Sequence, residues 1–156
     1  MGGLTATGRK RARSLALGLF LAAALLLTSS GCGDLSNDEL NRGVESLSAL
    51  AAQGQLVANG VARDATKATY ARVMAKTLGE EAEHEAEKLA DATIEEPETA
   101  DQRQAAVAVA GEISALLSEL QTFPGDEHHG ELVEEHLGEA QEKADAIVAQ
   151  LSGDAP

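Results

Sequence analysis

The chain has one cysteine, three prolines, no tryptophan, one tyrosine and two phenylalanines among 156 residues. One cysteine cannot pair within its own chain, which excludes a disulfide framework. Three prolines leave long stretches free to be helical. So few aromatics offer no stacking platform for sugars or bases. Cations are scarce as well: 12 Lys and Arg stand against 26 Asp and Glu, a formal net charge of −14. Four of the cations (Arg9, Lys10, Arg11, Arg13) fall in the first 31 residues, which hold no acid. The remainder carries 8 basic and 26 acidic residues, a net of −18. Phosphate recognition needs a Lys/Arg surface, so a plain nucleic-acid binder is excluded. No Gly-rich phosphate loop follows a strand pattern, and no serine has a nucleophile-elbow context.

What is present starts with targeting chemistry. Residues 1–14 are basic, and residues 15–27 form a 13-residue apolar run without a charge. A bilayer-spanning helix needs about 20 apolar residues, so this run fits a secretory h-region instead. Arg9-Lys10-Arg11 is not a twin-arginine pair, and Ala6 stands where myristoylation wants Ser or Thr. The run leads into Thr28-Ser29-Ser30-Gly31-Cys32. This resembles the lipobox of bacterial lipoproteins, with Ser29 in place of the usual Leu at the third position before Cys. The resemblance implies cleavage between Gly31 and Cys32. It also implies a diacylglyceryl thioether on the Cys32 sulfur, with a further acyl chain such as palmitate on its amine. Two or more acyl chains anchor stably. The implied location is the bacterial cell envelope, on the outer face of the cytoplasmic membrane or in the periplasm and outer membrane. The expected organisation is a signal peptide over 1–31, a lipid-attached tether over 32–36 and a helical domain over 37–153.

The domain reads as all-helical. The chain after Cys32 has 24 Ala, with many Glu, Leu and Gln, all good helix formers. The spacing predicts a first helix from Asp38 to Asn59, capped by Asn37 and ended by Asn59-Gly60. Its buried line is Leu40, Val44, Leu47, Ala51 and Ala58. A second helix starts near Asp64 or Thr66 and runs to Ile94, with Tyr70, Val73, Met74, Leu78 and Leu89 as its apolar stripe. No proline separates these two helices, so one continuous helix is an alternative. Pro97 ends the second helix, and Thr99 with Gln102 forms a capping box for a third. The third buries Ala106, Val109, Ile113, Leu116, Leu117 and Leu120. A turn at Phe123-Pro124-Gly125-Asp126 precedes a fourth helix. That helix ends at Ser152-Gly153 and buries Val133, Leu137, Ala140, Ala144, Ile147, Val148 and Leu151. Four amphipathic helices with short connections predict an antiparallel four-helix bundle.

Two clusters hold all four histidines. Glu80, Glu81, Glu83, His84, Glu85 and Glu87 lie on the second helix, while Asp126, Glu127, His128, His129, Glu134, Glu135 and His136 lead into the fourth. Glu81-x-x-His84 has the spacing of carboxylate-bridged di-metal bundles, which sets both side chains on one helix face. With Tyr70 as the zero of angle, Glu81, Glu85 and His84 fall at about +20°, +60° and −40°, on the expected apolar line. A charge there needs a partner or a cation. Glu81, His84, Glu85 and His136 are therefore the candidate ligands of a divalent transition metal. Against this, Val133 stands three residues before His136, so no second Glu-x-x-His exists. The other reading leaves the acidic half of the second helix solvated.

Residues 53–60 (QGQLVANG), followed by Tyr70-Ala71-Arg72-Val73-Met74, resemble secreted ferritin-like bundles of unassigned function. The resemblance implies the bundle fold. The family's ligands do not carry over, since Thr77 stands near the position of its early His. The expected function is that of a membrane-anchored envelope lipoprotein with a structural or partner-binding domain, with no catalysis and no cofactor. Its partners are then the membrane, through Cys32, and an envelope protein. Alternatives are a ferritin-like metal or redox bundle and a weak surface binder of divalent cations.

Overall fold

The computed structural model describes residues 36–93 and 97–153. The signal peptide over 1–31, Cys32 and residues 33–35 lie outside the described residues. Four helices follow in order: α1 (Asn37–Ala62), α2 (Ala68–Asp91), α3 (Pro97–Thr122) and α4 (Glu127–Leu151). They pack against one another as a helical bundle, as the spacing predicts.

Ser36, not Asn37, caps α1. Its hydroxyl accepts from the Glu39 amide at 3.3 Å, and the Glu39 carboxylate accepts from the Ser36 amide at 3.1 Å. This reciprocal pair satisfies two of the amides that a helix start leaves open. Asn37 is instead the first helical residue, and its Oδ1 accepts from the Thr99 hydroxyl at 3.1 Å. Thr99 lies inside α3, because that helix already starts at Pro97. Both expected caps thus fail as caps and join α1 to α3.

Helices α1 and α2 are separate. Asp64 adopts a left-handed φ of 49°, a region that Asp tolerates better than most residues. The turn then folds back over Gly60, whose carbonyl accepts from the amides of Ala65 (2.8 Å) and Thr66 (3.0 Å). A Cβ on Gly60 would collide with the Thr66 hydroxyl. Asn59-Gly60 is therefore not a terminator. Helix α1 runs on to Ala62, and Gly60 provides the room in which the chain reverses. The other end of α2 is closed from outside. Arg103 on α3 donates through Nη1 to the carbonyls of Leu89 (3.4 Å), Ala90 (2.9 Å) and Ala92 (3.1 Å). A charged donor there meets the orphan carbonyls and the negative end of the helix dipole.

The core lies where the stripes of α1, α3 and α4 point. Leu40, Leu47, Ile113, Leu117, Leu120, Val133 and Leu137 are fully buried. Leu116, Val148 and Leu151 are only partly so. Helix α2 departs from expectation. Tyr70 and Val73 are each 57 % exposed, and the buried line is Ala71, Ala75, Leu78, Gly79, Ala82 and Leu89. On the same angular scale that line centres near +120°, about 100° from the expected stripe. Small residues carry little hydropathy contrast but allow close backbone approach, and here close approach won.

Helix α1 packs on α2, α3 and α4, α3 packs on both α2 and α4, and α2 and α4 share no interface among the described residues. In cross-section α1 and α3 meet along the short diagonal. They run parallel there, with Asn37 on Thr99 at one end and Gly54 against Leu117 further along.

Candidate functional site: the groove between α1 and α2

Rotating α2 moves its acidic half off the core. Glu81 and His84 are exposed and Glu85 is half-buried. They do not become isolated, however. With Ser46 and Leu50 of α1 and Thr77 and Glu80 of α2, they line one groove of about 460 Å³. Leu50, only 4 % exposed, is its apolar floor. The groove exists because no large side chain fills the seam there: α1 contributes Ser46 and α2 contributes Thr77. Thr77 turns its hydroxyl back onto the Val73 carbonyl (3.1 Å), so its methyl faces outward contacts.

The carboxylates around the groove are unequally matched. Lys76 approaches Glu80 at 3.5 Å, and Lys88 approaches Glu85 at 3.4 Å. Both pairs are exposed enough to contribute little. Glu81 has no ion pair among the described residues. Three of the four candidate metal ligands thus share the groove, but the fourth does not. His136 lies on α4, the helix that α2 never meets, with its Nδ1 3.3 Å from Glu139 of its own helix. Among the described residues, no three His, Cys, Asp or Glu side chains converge as a metal-binding group.

The second histidine cluster is local to the α3–α4 turn. Asp126 caps α4 by accepting from the His129 amide at 3.0 Å, which holds its carboxyl below the ordinary value of 3.8. The His129 ring stacks on Phe123 with centroids 4.2 Å apart, and its Nε2 lies 3.8 Å from Glu119. His128 meets His129 edge-on, at 6.3 Å between centroids. His128 is exposed, and the pair builds no pocket of its own among those described.

A smaller groove of about 210 Å³ lies across α2, between Ala75, Gly79, Glu80 and Glu83 on one side and Ser114, Ser118 and Gln121 of α3 on the other. Across it the Ser114 hydroxyl donates to Glu83 at 3.0 Å, and Arg72 Nε of α2 donates to the Gln121 carbonyl at 3.4 Å. No family model, curated protein or solved structure matches this chain. The groove must therefore be read on its own chemistry.

Two groups of residues escaped the sequence reading. Ser46 belongs to no motif and Thr77 enters there only as the residue near the early His position, and only the pairing of α1 with α2 brings the two together. Arg103 is the single cation of α3, and a lone Arg amid acids was the available signal. Cys32 and Gly31, the expected lipidation and cleavage residues, lie outside the described residues.

Proposed function

We propose that the chain is a bacterial envelope lipoprotein, anchored by acyl groups on Cys32, whose acidic bundle binds a protein partner and performs no catalysis. The observation that carries the anchored half is the start of α1. The Ser36–Glu39 capping box opens the first helix only four residues after Cys32. The tether expected over residues 32–36 thus ends where the cap of α1 begins. The box also holds the Glu39 carboxyl below its ordinary 4.5, first through the Ser36 backbone bond and then through its hydroxyl, so Glu39 stays ionised. No described helix is long and apolar enough to cross a membrane. The partner-binding half rests on the α1–α2 groove, with its acidic walls and its apolar floor at Leu50.

The test is the mass of the mature N-terminus together with fractionation of Cys32→Ser. The expected result is acyl mass on Cys32 and release of the variant from the membrane fraction. An unmodified wild-type Cys32 overturns the anchor. A second reading rests on Glu81, His84 and Glu85 sharing one groove, where they would offer carboxylate and imidazole to a divalent transition metal. Stoichiometric binding that raises the melting temperature, lost in Glu81→Ala/His84→Ala, would establish it. Weak, salt-sensitive binding of several ions would instead mark surface buffering.

A further inference from the structure

The stripe formed by Tyr70, Val73, Thr77, Glu81 and His84 runs along one line of α2 at spacings of three and four residues. It is about 21 Å long at 1.5 Å per residue. Its first half is apolar and bare: the chain's only tyrosine and Val73 are each 57 % exposed, although Ala71 and Ala75 beside them are fully buried. Its second half is the acidic groove, floored by Leu50. Folding does not explain Tyr70 and Val73 at these positions, since the core closes without them.

We infer that the α1–α2 groove, extended over Tyr70 and Val73, docks a basic amphipathic helix of another protein. That helix carries apolar side chains at one end and Lys or Arg at the other. The length fits about four turns of helix. The apolar residues settle on Tyr70, Val73 and Leu50, and the cations meet Glu80, Glu81 and Glu85. Among the described residues no Lys or Arg lines the groove, and Lys76 and Lys88 engage Glu80 and Glu85 at its edge. Charge argues against the other occupants. A second copy brings its own excess of carboxylates to the same surface, and an anionic lipid headgroup or a nucleic acid is repelled by it. The mode is helix-in-groove recognition, with the apolar anchors giving affinity and the charges giving orientation and on-rate.

This inference rests on the partner-binding half of the proposed function and is independent of the anchor. The test uses the full-length chain in non-ionic detergent and a labelled peptide of about 16 residues, with a Leu-rich half and a Lys-rich half. A second peptide of the same composition has the two kinds of residue mixed. Anisotropy should show the block peptide binding at least about tenfold tighter than the mixed one. Val73→Asp and Glu81→Lys should each weaken it at least about tenfold. Leu56→Asp, on a site 76 % exposed and facing away from the core, should leave it unchanged. Both groove positions are exposed, and unchanged melting of each variant confirms folding. No binding, or equal loss in Leu56→Asp, overturns the inference. So does a wild-type dimer in sedimentation that Val73→Asp separates, which would make a second copy the occupant. The N-terminal mass of the same preparation reports on the anchor separately.

Discussion

Along one flank α1 meets α4 with its backbone almost touching, and along the other it meets α2 across a groove. On the α4 side, Gly130 lies so close to α1 that a Cβ would stand 2.6 Å from the Ala62 amide nitrogen. Three side-chain bonds cross this seam: Ser48 to Asp145 (2.7 Å), Gln55 to Gln141 (3.1 Å) and Asn59 to Glu134 (2.7 Å). On the α2 side, among the described residues, no side-chain hydrogen bond joins the two helices. There Gly43 faces the flexible end of Leu89, whose Cδ2 would lie 3.2 Å from an added Cβ. The same helix thus carries one flank fitted for permanence and one with space left over. The difference teaches that glycine in a helix has no fixed meaning. At Gly130 it admits backbone, and at Gly43 it admits the flexible end of a side chain.

Substitutions at these glycines break the comparison most directly. Gly130→Ala must push α4 off the α1 backbone, since neither Ala62 N nor Ala58 O can move aside locally. It should cost about 1–3 kcal/mol despite the better helix propensity of Ala, read as a lower denaturant midpoint. Next in size is Arg103→Ala, which strips three carbonyls at the end of α2 of their donor. It should cost about 1–2 kcal/mol and raise amide exchange in the last turn of α2 before anywhere else. Gly43→Ala should change stability by less than about 1 kcal/mol, and in the stabilising direction if Leu89 swings aside, because Ala is the better helix former. A loss at Gly43 as large as that at Gly130 would show that the two flanks are equally tight.

The smallest effect is that of pH. Glu39 and Asp126 both have depressed carboxyl values in the folded chain, caused first by the amide bonds of Ser36 and His129. Their contribution is complete above the ordinary values of 4.5 and 3.8 and is lost as pH falls through the lower folded ones. Lys143, held above 10.5 chiefly by its bond to Glu112, contributes fully below that value and loses its contribution as pH rises through the higher folded one. Melting temperature should therefore decline only at the acid and alkaline extremes from these three groups.

The three helices with bulky stripes were legible in the sequence. Leu, Ile and Val at three- and four-residue spacing in α1, α3 and α4 placed the buried line correctly. Leu78 and Leu89 of the expected α2 stripe are buried, but its first half was read out of phase because Tyr70 and Val73 are the bulkier side chains, whereas the small residues Ala71, Ala75, Gly79 and Ala82 let α3 approach. That error carried into the site. Glu81 and His84 were expected on the core line, whereas they stand on the outer wall of a groove. Caps were misread for a simpler reason: Ser36 and Asn37 are adjacent and both suitable, and only the Glu39 carboxylate decides between them. The groove itself was illegible, because it arises from what Ser46 and Thr77 leave unfilled, and a cavity has no letters.

The hydrogen-bonded seam between α1 and α4 also has a temporal side. Its three bonds link residues 75 to 97 positions apart, the longest separations among the hydrogen bonds of the described residues. Closing so long a loop costs chain entropy that only the finished interface returns. A growing chain therefore cannot complete its most intimate contact until its final helix exists. The α4-facing flank of the first helix waits unpaired until that helix is made, and a ribosome-bound or truncated chain ending before Glu127 has only α2 and α3 to hold it.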